Sequence, residues 1–147
     1  MTDIGVTHIA FCVRDLKASL AFYEKYAGMK AVHERKATGV AWITDFTRPF
    51  VLVLIEDSTH GDTPLGPTGH LGVGCASRED VDRLVAEARA EGCLRSEPVD
   101  SGPPVGYWAF IADPDGNTLE VSYGQEVGLT VAQAAHGPED SANSPAP

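Results

Sequence analysis

At 147 residues and 15.6 kDa the chain has room for one ordinary domain, or two small units sharing a core. Eleven Lys and Arg against 21 Asp and Glu give a net charge of −10. Such a surface repels phosphate, which argues against nucleic-acid binding and against adhesion to anionic lipid. The longest apolar run, Phe50 to Ile55, is far short of the ~20 residues of a membrane span. The first residues lack the basic and apolar regions of a signal peptide. Cys12, Cys75 and Cys93 have no C-x-x-C spacing, so neither a disulfide framework nor a zinc knuckle is expected. The expectation is a soluble, cytoplasmic domain.

In chain order, the first apolar segment opens with His8-Ile9-Ala10-Phe11, which reads as a strand. Asp15 can cap a helix from Leu16, in which Leu16, Leu20, Tyr23 and Ala27 share a face before Gly28 ends it. Strand-like stretches follow at 31–35, 40–44 and 50–55. A Gly- and Pro-rich linker, 58–69, leads to His70-Leu71-Gly72-Val73, and the pattern starts again. Ser77 and Asp80 form an S-x-x-D capping box, Val81, Leu84, Val85 and Ala88 line one helical face, and Gly92 closes it. Strands are expected at 94–99, 107–111 and 118–123, the last two joined by Asp113-Pro114-Asp115-Gly116-Asn117, which is tight-turn chemistry.

The chain therefore divides into two βαβββ modules, 4–57 and 70–124, in one α+β domain spanning 1–124. Residues 125–147 form a tail, rich in Ala, Gly, Pro and Ser toward its end, without Lys or Arg and flexible from about residue 136.

The repeat gathers scattered polar residues. His8 and His70 begin equivalent strands, and Glu120 sits in the last strand between Leu119 and Val121. A carboxylate among apolar neighbours needs a partner, and two imidazoles with one carboxylate are a recognised divalent-metal set with open positions. Trp42, Trp108 and Phe110 are pocket candidates against a default of core aromatics. Arg35 and Arg48 are candidate receivers of an anion against a default of surface ion pairs. Cys12 and Cys75 read as core packing.

The two His-containing segments and the sequence Asp113-Pro114-Asp115-Gly116-Asn117-Thr118-Leu119-Glu120 resemble the vicinal oxygen chelate superfamily. That group holds glyoxalases, bleomycin resistance proteins and extradiol dioxygenases. The resemblance implies two modules curled into a cupped mixed sheet, a homodimer, a small-molecule substrate, and a metal on His8, His70 and Glu120. Family members of glyoxalase type take a fourth ligand from the last strand of the first module. Aligning the two turns sets Val53 opposite Glu120, so that ligand is missing, with Glu56 three residues on as its nearest substitute.

A three-residue set suits Fe(II), with Mn, Ni or Zn as other candidates, and extradiol-dioxygenase-type chemistry is the leading expectation. A glyoxalase I- or epimerase-like lyase or isomerase is the alternative. A non-catalytic protein that sequesters a cationic antibiotic is the third. The resemblance to ring-cleaving members calls for an acid–base His and a Tyr near the metal. His33 and His60 answer by residue type, and Tyr107 and Tyr123 by their place near Glu120. Glu56, His60, Tyr107 and Tyr123 are thus the candidate catalytic residues.

Overall fold

The computed structural model describes Val6 and residues 8–58, 64–66 and 68–136. Module one runs β1 (His8–Val13), α1 (Leu16–Ala27), β2 (Lys30–Arg35), β3 (Val40–Thr44) and β4 (Val51–Glu56). Module two repeats the order as β5 (Leu71–Gly74), α2 (Arg78–Glu91), β6 (Val99–Asp100), β7 (Tyr107–Ala112) and β8 (Thr118–Tyr123). The strand orders are β1-β4-β3-β2 and β5-β8-β7-β6. In each sheet the first strand pairs in parallel with the last and the other pairs are antiparallel. A parallel pair needs a long crossover, and the helix supplies it. Two α+β modules of equal topology are thus observed as read from the sequence.

Helix boundaries follow the capping residues. Asp15 accepts from the Ala18 N–H at 2.9 Å, and Gly28 ends α1 at φ 63°, a conformation costly to residues with a Cβ. Ser77 accepts from the Asp80 N–H at 3.1 Å and donates to its carboxylate at 2.9 Å. The buried face of α2 is Val81, Leu84, Val85 and Ala88, as the periodicity predicts. In α1 the buried residues are Ser19, Phe22, Tyr23 and Tyr26, with Leu16, Leu20 and Ala27 at the margin. Three aromatics in five positions pull the contact face around the helix.

Strand alternation separates two sheet faces. Ala41, Ile43, Leu52, Leu54, Ala109, Ile111, Leu119 and Val121 are buried in one core with the helices. Each large aliphatic side chain there contributes about 1.5–3 kcal/mol of transfer free energy. The intervening residues Trp42, Val53, Phe110 and Glu120 project from the opposite, concave face.

The Asp113–Asn117 turn joins the modules. Asp113 accepts from the backbone N–H groups of Asp115 and Asn117 at 2.9 and 2.7 Å. Its other oxygen accepts from Asn117 Nδ2 and, across the modules, from the Tyr23 hydroxyl, both at 2.9 Å. Asp115 accepts from the Arg14 N–H at 2.9 Å. The linker is pinned to the same turn, with the Leu65 N–H on Asn117 Oδ1 at 2.8 Å.

Two expectations change. Residues 94–99 form no continuous strand: Leu94 makes an isolated bridge to Ile111, and β6 is only two residues long. The Ser96 hydroxyl and backbone turn onto Phe110 instead. The tail begins with a helix, α3 (Val127–His136), which the Ala-rich composition supports. The flexibility expected beyond it falls on residues outside those described. Among the described residues no helix is long and apolar enough to cross a membrane.

Candidate metal centre and its two cups

In module two, His70 lies just before β5 and Glu120 within β8, one strand over. His70 Nε2 stands 3.3 Å from Glu120 Oε2. Glu120 is only 6% exposed, and its Oε1 accepts from Gln125 Nε2 at 2.5 Å. His70 Nδ1 lies 3.2 Å from the Thr68 carbonyl. A carbonyl only accepts, so Nδ1 carries the proton and Nε2 is the nitrogen turned toward the carboxylate. A nitrogen lone pair facing a carboxylate oxygen calls for a proton or a cation between them. An imidazole anchored through Nδ1 to a backbone carbonyl is also the usual outer-shell arrangement of a metal-bound histidine. The chemistry of these two side chains is compatible with a divalent ion between them.

His8 stands apart from this pair. It lines a cavity of about 580 Å³ on the concave face of module one, walled by Trp42, Phe46, Arg48, Phe50 and Val53 among others. Among the described residues no group of three or more His, Cys, Asp or Glu side chains is assembled to hold a metal. The structure brings together two of the three expected ligands within one chain.

Register confirms the equivalence of Val53 and Glu120. Val53 pairs with Ala10 and Trp42, as Glu120 pairs with Gly72 and Phe110. Glu56 does not replace the missing ligand. Three residues from Val53 it leaves the other sheet face, where its Oε2 accepts from the Leu16 N–H at the start of α1 at 2.7 Å.

The tyrosines are also turned away. Tyr107 and Tyr123 are cross-strand partners on the parity of Val121, opposite to Glu120. Tyr107 donates to Asp82 at 2.6 Å and carries the Arg78 guanidinium over its ring. Burial is slight there, and the Asp82 contact holds its phenol above the ordinary value. His33 packs its ring on Trp42, with centroids 5.1 Å apart, at the rim of the module-one cup. His60 lies outside the described residues.

Aromatics line the module-one cup and flank the His70–Glu120 pair. Phe110 sits between His70 and Trp108, with centroid distances of 5.1 and 4.7 Å. Trp42 is 44% exposed, which suits a pocket wall better than a core. Arg48 belongs to the cup and Gln125 to the His70–Glu120 pair. Charge count gave no means of placing Arg48, and Gln125 lay in a segment without a recognisable motif. The three cysteines are free and half-buried, and desolvation raises the Cys75 thiol above its ordinary value.

Known proteins share this arrangement of modules. An uncharacterised protein of Pseudomonas aeruginosa, PA2024, is 37% identical over 127 residues, covering 84% of this chain and 91% of its own. A lactoylglutathione lyase of Arabidopsis thaliana, GLX1, is 31% identical over 124 residues, or 78% of this chain, which spans only 42% of that longer protein. The solved structure of a possible glyoxalase from Bacillus cereus superposes with a TM-score of 0.63 at 26% identity, covering 82% of this chain and 99% of that one. The sequence model that matches residues 5–121 agrees with the fold and with these relatives, and the chain belongs to the Glyoxalase/Bleomycin resistance protein/Dioxygenase superfamily.

Proposed function

We propose that this protein is a divalent-metal-dependent lyase or isomerase acting on a small substrate that presents two adjacent oxygens. The observation that carries the reading is the His70–Glu120 pair, a buried carboxylate and an oriented imidazole 3.3 Å apart. His8 is the third ligand, contributed by a second copy of the chain in a homodimer, so that the cup of module one closes over the metal pair of module two. What supports this reading is that, among the described residues, His8 does not gather with His70 and Glu120 into a three-residue group, and that it lines a cavity of module one. A bound divalent ion would polarise the substrate's adjacent oxygens. Gln125 holds Glu120 Oε1, so Oε2, on the His70 side, would bind the ion and, once displaced from it by substrate, would take a proton from the neighbouring substrate carbon. Trp42, Trp108 and Phe110 keep water from the cups. Iron, manganese, nickel and zinc are all compatible with this donor set.

Fe(II) dioxygenase-type chemistry is the second reading. Val53 favours it, because the absent fourth ligand leaves an additional open position. The turning away of Tyr107 and Tyr123 weighs against it, as does the likeness to a lactoylglutathione lyase. Sequestration of a cationic antibiotic is favoured by the net charge, but Arg48 in the cup repels such a ligand.

The test is metal content by mass spectrometry after mixing inactive variants. His8→Ala and Glu120→Ala each lose the metal alone. Unfolded and refolded together, the two recover about a quarter of the sites, because half the dimers are mixed and each holds one intact site. No recovery overturns the shared site. Formation of lactoylglutathione from the corresponding 2-oxoaldehyde and thiol, or oxygen uptake with a catechol, then separates the two reactions.

A further inference from the structure

We infer that the module-one cup recognises an organic anion with a planar apolar body, Arg48 taking the charge and Trp42 and Phe46 the flat face. This deepens the proposed function by naming its substrate class, and rests on it for the nearness of the substrate's oxygens to His8.

The first observation is the balance of charge. In a protein of net charge −10, the cup of about 580 Å³ has no carboxylate among the described residues of its wall, and Arg48 is the permanent cation among them. The volume suits a small ligand. The Arg48 guanidinium donates to Thr47 Oγ1 at 3.3 Å, and among the described residues it forms no ion pair. Its nearest acidic neighbour, Asp45, is already engaged. Asp45 Oδ1 accepts from the Thr47 N–H at 2.9 Å and from its hydroxyl at 2.7 Å. Against a burial that would raise it, these bonds and the Arg48 charge hold the Asp45 carboxyl below its ordinary value. The planar guanidinium therefore keeps donors for a carboxylate or similar anion.

The second observation is independent. Phe46 is the sole non-glycine residue with positive φ among those described, at 61°, and it is 68% exposed. A bulky side chain pays for that conformation, and an exposed ring recovers nothing from the core. The loop is fixed around it. Thr44 Oγ1 donates to the Phe50 carbonyl at 2.8 Å and accepts from the Phe46 N–H at 3.3 Å. The arrangement holds an aromatic ring at the mouth of a cup already walled by Trp42, and a planar ligand is the occupant that two such rings suit.

The test is calorimetric titration of the full chain, as purified and after EDTA treatment, with 2-naphthoate and its neutral counterpart 2-naphthamide. Naphthoate is expected to bind about tenfold more tightly than the amide, with or without EDTA. Arg48→Gln should abolish that preference and leave amide binding unchanged. Phe46→Gly, in a residue at home at φ 61°, should weaken both ligands severalfold without lowering the melting temperature. Equal affinity for the two ligands, a preference that survives Arg48→Gln, or no binding at all overturns the inference; the last would mean that a second copy fills the cup. Because EDTA-treated protein is measured, binding here with no recovery of metal on mixing variants would sink the shared metal site alone.

Discussion

Val53 stands in module one where Glu120 stands in module two, each on the concave face and each paired to the equivalent positions of its neighbouring strands. One fold, used twice, therefore carries a carboxylate in one cup and an aliphatic wall in the other. Installing the missing acid, Val53→Glu, should recreate beside His8 the pairing that Glu120 makes with His70. We expect the metal to be lost to a chelator about tenfold more slowly than from the wild type. Unchanged loss would mean that the module-one cup does not face the ion.

Glu56 serves the helix rather than the metal. Removing its carboxylate with Glu56→Ala leaves the Leu16 N–H at the start of α1 without its acceptor. The expected cost is about 1 kcal/mol in denaturant unfolding, with metal content unchanged. A loss of metal with unaltered stability would reverse that assignment.

Tyr23 makes stability fall at high pH. Burial above all, then the charge and hydrogen bond of Asp113, push its phenol far above the ordinary value. The unfolded chain releases this proton above about pH 10, whereas the folded chain keeps it. The stabilisation is therefore complete below about pH 10 and is lost as pH rises beyond it. In Tyr23→Phe the alkaline decline should be shallower, and at neutral pH the variant should be about 1 kcal/mol less stable. Tyr26, raised by burial and by its hydrogen bond to Glu91, preserves part of the slope. Denaturant titrations between neutral and strongly alkaline pH measure the difference.

Gly66 lets the linker lie against β8. Its φ is 110°, and a Cβ there would come within 2.1 Å of Thr118 Oγ1 and 2.7 Å of the Gly69 carbonyl. Gly66→Ala should cost about 2 kcal/mol or more and loosen the strand that carries Glu120. Equilibrium unfolding reads the first effect, and hydrogen exchange at the Thr118 amide, which donates to Leu65 O, reads the second.

The repeat, both helices and the strands that carry Val53 and Glu120 were legible because each depends on local periodicity, caps and turn residues. Residues 94–99 looked like a strand by composition, but side-chain and backbone bonds from Ser96 to Phe110 fixed them otherwise. Helix α3 was missed because the tail was read by its overall composition, and none of the helix residues is buried, so no core contact marks it. His70 and Glu120 were legible as a pair through topology, since β5 and β8 are neighbours. The placement of His8 was not. It depends on how the modules pack, through contacts such as Tyr23 with Asp113, and no local pattern encodes those. Arg48 was legible as a candidate receiver of an anion, but its place in the cup, like that of Phe46, shows only in the loop that carries both.

The Asp113 carboxylate closes its own turn and receives the Tyr23 hydroxyl from the other module. The segment that best marks this chain's ancestry thus acts as a clasp between its halves. Neither half can open without breaking bonds that the other depends on, so the chain should melt in a single transition. A cut in the linker should leave the two pieces associated, held by the turn rather than by the peptide bond between them.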